Sequence, residues 1–365
     1  MKITYFSILA AAACGMAFGQ TAYTTPVGYL SLTVPAGSDT TITPSLSRAP
    51  LLQGSSTSIT GNVISIATAA ANNAFINSGD PNAKTYVLVR SGALAGLRFP
   101  VTSNTGSTVT VNGGASTLQD QGFVGTDLVS VVPYWTLNTL FPGGLGVGVT
   151  ADLVDATSLV LFSDQVNIAA NRAPNKAYFY FGGDAENYPD YPAGWYDNDN
   201  LDGGLQDTVA IDPAVLMTIR NSPATSVTLT GEVPSVSLAT KFLTSSTVAN
   251  DELVGSPYPT DTTLQNSGLQ QAIAPTTDLV DAKDTIQVYN DTATGLNKAP
   301  SKVYFYFAGD AENYPDYPAG WYDNDNLDGG LVTDTVLKGG RCFIIRKAPG
   351  VESVNTWTAP LPYTL

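Results

Sequence analysis

The chain has 365 residues, 31 acidic and 16 basic side chains, no histidine and a formal net charge of −15. So acidic a surface repels nucleic acid and anionic membranes, and neither is expected as a partner. The lack of histidine removes Ser-His-Asp and Cys-His catalysis, His-ligated zinc and His-held haem, which leaves carboxylates, amides, hydroxyls and carbonyls as the available chemistry.

Residues 1–19 read as a secretory leader. Lys2 gives the positive start, Ile8 to Ala13 a short apolar stretch, and Ala17-Phe18-Gly19 a small-x-small cleavage site before Gln20. Cys14 lacks the large aliphatic residue, three positions upstream, that lipid attachment prefers, so cleavage after Gly19 is expected. The expected location is secreted, at the cell surface or in the periplasm, with no membrane span. Pro360 and Pro362 argue against a closing outer-membrane strand. Beyond the leader only Cys342 remains, so no intramolecular disulfide is available. It sits in a strand-like run, as a buried small apolar residue would.

Residues 20–132 read as an antiparallel β domain. Val27 to Val34 alternates and ends at Pro35. Asn62 to Ile66, Thr85 to Arg90, Thr108 to Val111 and Asp127 to Val132 also read as strands, with a Gly-containing hairpin over 90–102. From Pro133 the text begins to repeat. Pro133-Tyr134 is answered by Pro257-Tyr258, Asp152-Leu153 by Asp278-Leu279, Ala173-Pro174-x-Lys176 by Ala299-Pro300-x-Lys302, and Ile219-Arg220 by Ile345-Arg346. The spacing divides the rest into a unit over 133–234, a connection over 235–256 and a second unit over 257–365. The expected fold is all-β, with antiparallel sandwich- or barrel-like domains and an internal duplication. Short helical turns are expected near Trp135 to Phe141 and Leu264 to Ile273.

Residues 183–205 and 309–331 are identical, GDAENYPDYPAGWYDNDNLDGGL. Each copy follows an aromatic strand, Tyr178 to Phe181 or Tyr304 to Phe307. The phenylalanines are expected on the core face and the tyrosine hydroxyls in water. Six carboxylates crowd the first copy, Asp184, Glu186, Asp190, Asp197, Asp199 and Asp202, and Asp207 just beyond it makes seven. Ca²⁺ takes six to eight oxygen ligands, and glycines let such a loop fold back on an ion. The expected ligands are Asp197, Asn198, Asp199, Asn200 and Asp202, and in the second copy Asp323, Asn324, Asp325, Asn326 and Asp328. Asp197, Asp199 and Asp202 are expected to converge on one point. The spacing is not that of an EF-hand, because Val209 or Thr335 stands where that loop places glutamate. The competing reading has these side chains capping turns. The alternative ligand is a glycan, stacked on Tyr188, Tyr191, Trp195 and Tyr196, or on Tyr314, Tyr317, Trp321 and Tyr322. Against it, both tryptophans could instead plug the β core. A carboxylate-pair glycosidase is the least favoured reading, since a catalytic acid wants a desolvated pocket.

Four motifs carry a resemblance: Pro26-Val27-Gly28-Tyr29 after the leader; Ser91-Gly92-Ala93-Leu94-x-Gly96; Pro133-Tyr134-Trp135-Thr136-Leu137 with Leu140-Phe141-Pro142-Gly143-Gly144; and Asn-x-Ala-Pro-x-Lys before the aromatic strand. Together they resemble an uncharacterised paralogous family of secreted all-β proteins from verrucomicrobia-type bacteria, over most of the chain. The resemblance implies export and a β fold, and no activity; the repeated acidic loop goes beyond that pattern. The sequence therefore points to a non-enzymatic structural or adhesive surface or matrix protein, with Ca²⁺-binding loops and a surface glycan or a second copy of itself as partner. The alternative is a Ca²⁺-assisted carbohydrate-binding module.

Overall fold

The structure is a computed structural model. It describes residues 26–67, 71–76, 84–145, 150, 152–153, 156–164, 167–213, 215–221, 223–350 and 356–364. The expected leader, with Cys14, lies outside the described residues, as does part of the Asp152–Ala156 match.

The fold is almost entirely antiparallel β-structure, in one closed barrel and two five-stranded sheets. The barrel has six strands in the order Leu52–Thr60, Val63–Ile66, Thr108–Val111, Arg98–Asn104, Thr85–Val89 and Leu128–Pro133. Alternation explains it: Ile64, Ile66, Val87, Val89, Val109, Val111, Val129 and Val131 point inward and fill the interior. Closure leaves this sheet no unpaired edge.

The first sheet runs Gly194–Asp197, Pro174–Phe181, Ser158–Ser163, Met217–Asn221, Ser38–Ile42. The second runs Gly320–Asp323, Lys302–Phe307, Thr285–Val288, Cys342–Lys347, Asn250–Gly255. Order and register agree between them: Tyr178 stands opposite Asp197 as Tyr304 stands opposite Asp323, and Arg220 opposite Asp39 as Arg346 opposite Asp251. Each sheet is accompanied by two further strand pairs: Val27–Val34 with Thr225–Glu232 and Trp135–Thr136 with Ala210–Ile211 in the first half, and Leu238–Lys241 with Thr356–Ala359 and Thr262–Thr263 with Val336–Leu337 in the second.

The boundaries expected at 132 and 256 therefore cut across paired strands. Val27–Val34 and Ser38–Ile42 belong with residues beyond 133, and the presumed connection 235–256 supplies two strands. The barrel lies in the chain between Ile42 and Tyr134, whereas in the second half only Ser256 separates Gly255 from Pro257. Periodicity identifies a strand but not its partner, which is why the sequence places these strands in the wrong blocks.

The expected helical turns form at Leu137–Leu140 and Leu269–Gln271. The first starts at a capping box, in which Thr136 and Thr139 side chains satisfy each other's backbone N–H groups. No helix among the described residues is long and apolar enough to cross a membrane.

Across the groove between the sheets, each half clasps the other. Arg220 grips Asp39 with two bonds of 2.8 Å, and Asn297, from the other half, completes the clasp with its side-chain oxygen on Arg220 at 2.8 Å and its backbone N–H on Asp39 at 2.7 Å. Reciprocally, Arg346 grips Asp251 at 2.7 and 2.9 Å, and Asn171 closes that clasp at 2.8 and 2.6 Å. Asn171 and Asn297 sit at φ 55° and 50°, in the left-handed region where asparagine is the best-tolerated residue after glycine.

Candidate functional site: the repeated acidic loops

The acidic repeat is not one long loop. Gly194-Trp195-Tyr196-Asp197 forms a strand on the edge of the first sheet, paired with Tyr178–Phe181, and Gly320–Asp323 does the same in the second. The strand was hidden in the sequence by proline on one side and aspartate on the other. Its glycine is required: at Gly194 and Gly320 φ is 156° and 158°, and a Cβ would fall 2.4 Å from Cδ2 of Leu205 or Leu331.

Pairing fixes which way each residue points. Phe179, Phe181 and Tyr196 pack together under the loop, with Tyr188 and Tyr191 half-buried against them. The other face is also buried. Tyr178 and Trp195 lie in the main core of the first half, and Tyr180 meets Trp195 edge to face at 5.6 Å. The expected wet tyrosine face is thus a second core face. Trp195 and Trp321 are 0 % and 1 % exposed, and Tyr196 and Tyr322 are each 1 % exposed, so none of these four can stack on a sugar. The indole Nε1 of each tryptophan meets no hydrogen-bond acceptor among the described residues. Of the eight aromatic residues expected to hold a glycan, only Tyr188, Tyr191, Tyr314 and Tyr317 reach solvent, each half-buried.

The carboxylates do not converge. Asp197 is turned inward at the strand end, where Lys176 Nζ binds its Oδ2 at 2.7 Å and the Asp199 backbone N–H donates to its Oδ1 at 3.0 Å. Asp323 repeats this with Lys302 at 2.6 Å and Asp325 N–H at 3.0 Å. The bond to Asp197 is the main reason the Lys176 ammonium holds its proton to higher pH than usual. Asp199, Asp202, Asp325 and Asp328 point to solvent, as do Asn198, Asn200, Asn324 and Asn326. Among the described residues no three acidic or thiol side chains form a metal-sized group. The expected convergence of Asp197, Asp199 and Asp202 is therefore corrected: a lysine stands where the ion was expected, and it neutralises the one buried carboxylate of the set.

One further acid of each copy, Asp184 or Asp310, holds a turn. Asp184 accepts the backbone N–H groups of Glu186 and Asn187 at 3.0 and 3.1 Å and the Asn187 side chain at 2.7 Å, and these Asn187 bonds keep its carboxyl below the usual range. Asp310 repeats all three contacts. Tyr188 reaches out of the loop to Asp152 at 2.9 Å, and Tyr314 to Asp278 at 3.0 Å. Leu201–Gly203 and Leu327–Gly329 close each loop with a single 3₁₀ turn. The surroundings of the two copies differ just beyond the identical stretch, where Gln206 Nε2 donates to the Gly203 and Gly204 carbonyls and Val332 takes its place. Asp207 Oδ1 accepts the Trp195 backbone N–H at 2.9 Å, whereas the position equivalent to Asp207 is Thr333, and Asp334, one residue later, is exposed.

The residues that matter most here, Lys176 and Lys302, were visible in the sequence only as the last letter of the Ala-Pro-x-Lys motif. The signal was their constant separation, 21 residues, from Asp197 and Asp323. What the arrangement offers chemically is a self-supported surface with outward carboxylates: Glu186, Asp190, Asp199 and Asp202 in one copy, Glu312, Asp316, Asp325 and Asp328 in the other. No protein-family model matches the chain, and no curated protein or solved structure matches it either.

Proposed function

We propose that this is an exported, non-enzymatic structural or adhesive protein of the cell surface or matrix, built from two halves that arose by duplication. Its function is to present two identical acidic surfaces on a rigid β frame. The observation that carries this reading is the internal completeness of both loops. Each is folded by its own lysine, aspartate and tyrosine contacts, which leaves four carboxylates per copy facing outward from the segments that flank an edge strand.

Ca²⁺, in this reading, is taken weakly by those outward carboxylates and bridges one copy of the chain to another. With Asp197 and Asp323 held by lysine, a closed cage of six to eight oxygens has lost its central ligand. The glycan alternative is weakened by the burial of both tryptophans.

Light scattering against CaCl₂, with MgCl₂ and NaCl at matched ionic strength, tests this. Association should rise with Ca²⁺, reverse with chelator and weaken when Asp199, Asp202, Asp325 and Asp328 are changed to asparagine, while the melting temperature stays nearly constant. The same response to NaCl would mean charge screening, and a large Ca²⁺-dependent gain in melting temperature would mean a closed site. Either would contradict the proposal.

A further inference from the structure

The second half holds a lysine and an aspartate with no exposure at all. Lys347 Nζ donates to Asp284 Oδ2, and both side chains are 0 % exposed. Lys347 alternates along its strand with Phe343 and Ile345, and Asp284 lies two residues before Ile286, so the pair sits on the apolar core face of the sheet. Buried charges are costly, and their mutual attraction only partly offsets the loss of water.

Each side chain of the pair has further fixed hydrogen-bond partners. Asp284 Oδ1 accepts the Ala348 backbone N–H at 2.8 Å, and Oδ2 accepts the Ala274 backbone N–H at 2.7 Å. Both donors polarise the carboxyl group, and the one on Oδ1 would stabilise an oxyanion formed there. Lys347 is anchored from behind by the Ala272 carbonyl at 3.1 Å and stands opposite Asn250. Asn250 Nδ2 donates to Glu252 Oε1 at 2.5 Å, and Glu252 is itself buried. Burial raises the Glu252 carboxyl above its ordinary value, more than its bonds from Leu243 and Asn250 and the charges of Arg172 and Lys347 lower it, so it is suited to carry a proton.

We propose that Lys347 and Asp284 are joined by an intramolecular isopeptide bond, formed by the folded protein itself. Lys347 Nζ bonds to Asp284 Cγ, the Cγ–Oδ2 bond breaks, and Oδ2 leaves as water with the two protons that the ammonium gives up. No oxidant, reductant or further reactant is needed. Glu252 passes one of these protons to the departing oxygen and is restored by the other. The product removes both buried charges and ties the strand Cys342–Lys347 to the chain entering Thr285–Val288. That is a covalent staple in a protein whose one described cysteine is free. The first half has an internal control: Ser158 and Asn221 occupy the corresponding paired positions, and serine with asparagine cannot form the bond.

The test is peptide mass spectrometry on the purified full chain, denatured and digested. The expected result is a branched peptide containing both Asp284 and Lys347, lighter by one water than its two linear parts. Lys347→Arg should abolish it, and Glu252→Gln should leave a folded protein in which most of the branched peptide is lost. Recovery of Asp284 and Lys347 only in separate linear peptides of the wild-type protein overturns the proposal, and this arm does not depend on any variant folding. A branched peptide undiminished in folded Glu252→Gln protein overturns the role of Glu252.

Discussion

Replacing Arg346 with methionine should loosen both halves of the molecule, not one. Asp251 is 1 % exposed and accepts Arg346 Nε and Nη2 and the Asn171 backbone N–H. Without the guanidinium, two of these three bonds go and a carboxylate stays buried beside one amide. Breaking a buried ion pair from one side costs roughly 3–5 kcal/mol. The Arg346 side chain is 31 % exposed, so the lower figure, about 3 kcal/mol, is the one expected. Asn171 comes from the hairpin of the other half, and Asn297 returns the contact through Arg220 and Asp39, so the loss is shared. Urea unfolding followed by tryptophan fluorescence reads both halves, because Trp135 and Trp195 report on the first, Trp321 and Trp357 on the second, and the barrel strands contain none. One transition, displaced as a whole, is the expected result. Two separated transitions, with the first half unmoved, would refute the reciprocal clasp as a coupling between halves.

Gly194→Ala and Gly320→Ala should each cost about 1–3 kcal/mol in thermal or urea unfolding, since the new Cβ meets a leucine methyl at 2.4 Å and φ is unfavourable. Acid should weaken the first clasp. Burial pushes Asp39 up, but the bonds from Arg220 and Asn297 and the Arg220 charge outweigh it and hold its carboxyl low. Its contribution is therefore complete above the usual carboxylate pKa and lost as pH falls through the lowered value, and Arg220→Met should flatten that part of the stability profile. Cys342 is 4 % exposed and burial pushes its thiol up, so a thiol reagent should label it in urea and leave the native protein unlabelled.

Much of the fold could be read from alternation. Five of the six barrel strands appear in the sequence within about two residues, because Val, Ile, Phe and Tyr at period two suit a pleated surface buried on at least one side, whereas Leu52–Thr60, rich in serine and threonine, does not read as a strand and the first aromatic strand begins four residues earlier than expected, at Pro174. Partnership was not legible. Nothing in Ser38–Ile42 says that it pairs with Met217–Asn221 across the intervening barrel, since Asp39 meets Arg220 only in space. In the loop the carboxylates were visible and their orientation was not. Asp197 looks like Asp199 in the sequence, yet strand pairing turns one inward to Lys176 and the other out to solvent. In the sequence Trp195 reads as a core plug sooner than as a ligand platform, and Gly194 starts the strand that carries it inside.

The central claim, that each acidic loop is held by its own side chains and not by a metal ion, is tested most directly by hydrogen exchange with and without chelator. The peptides must extend to Gly182 or Ala308, where the two copies first differ going upstream. Protection of the Tyr188, Asp199, Tyr314 and Asp325 amides, each donated inside its own loop or strand turn, should be the same in EDTA as in CaCl₂. Loss of that protection in EDTA, restored by Ca²⁺, would contradict the account.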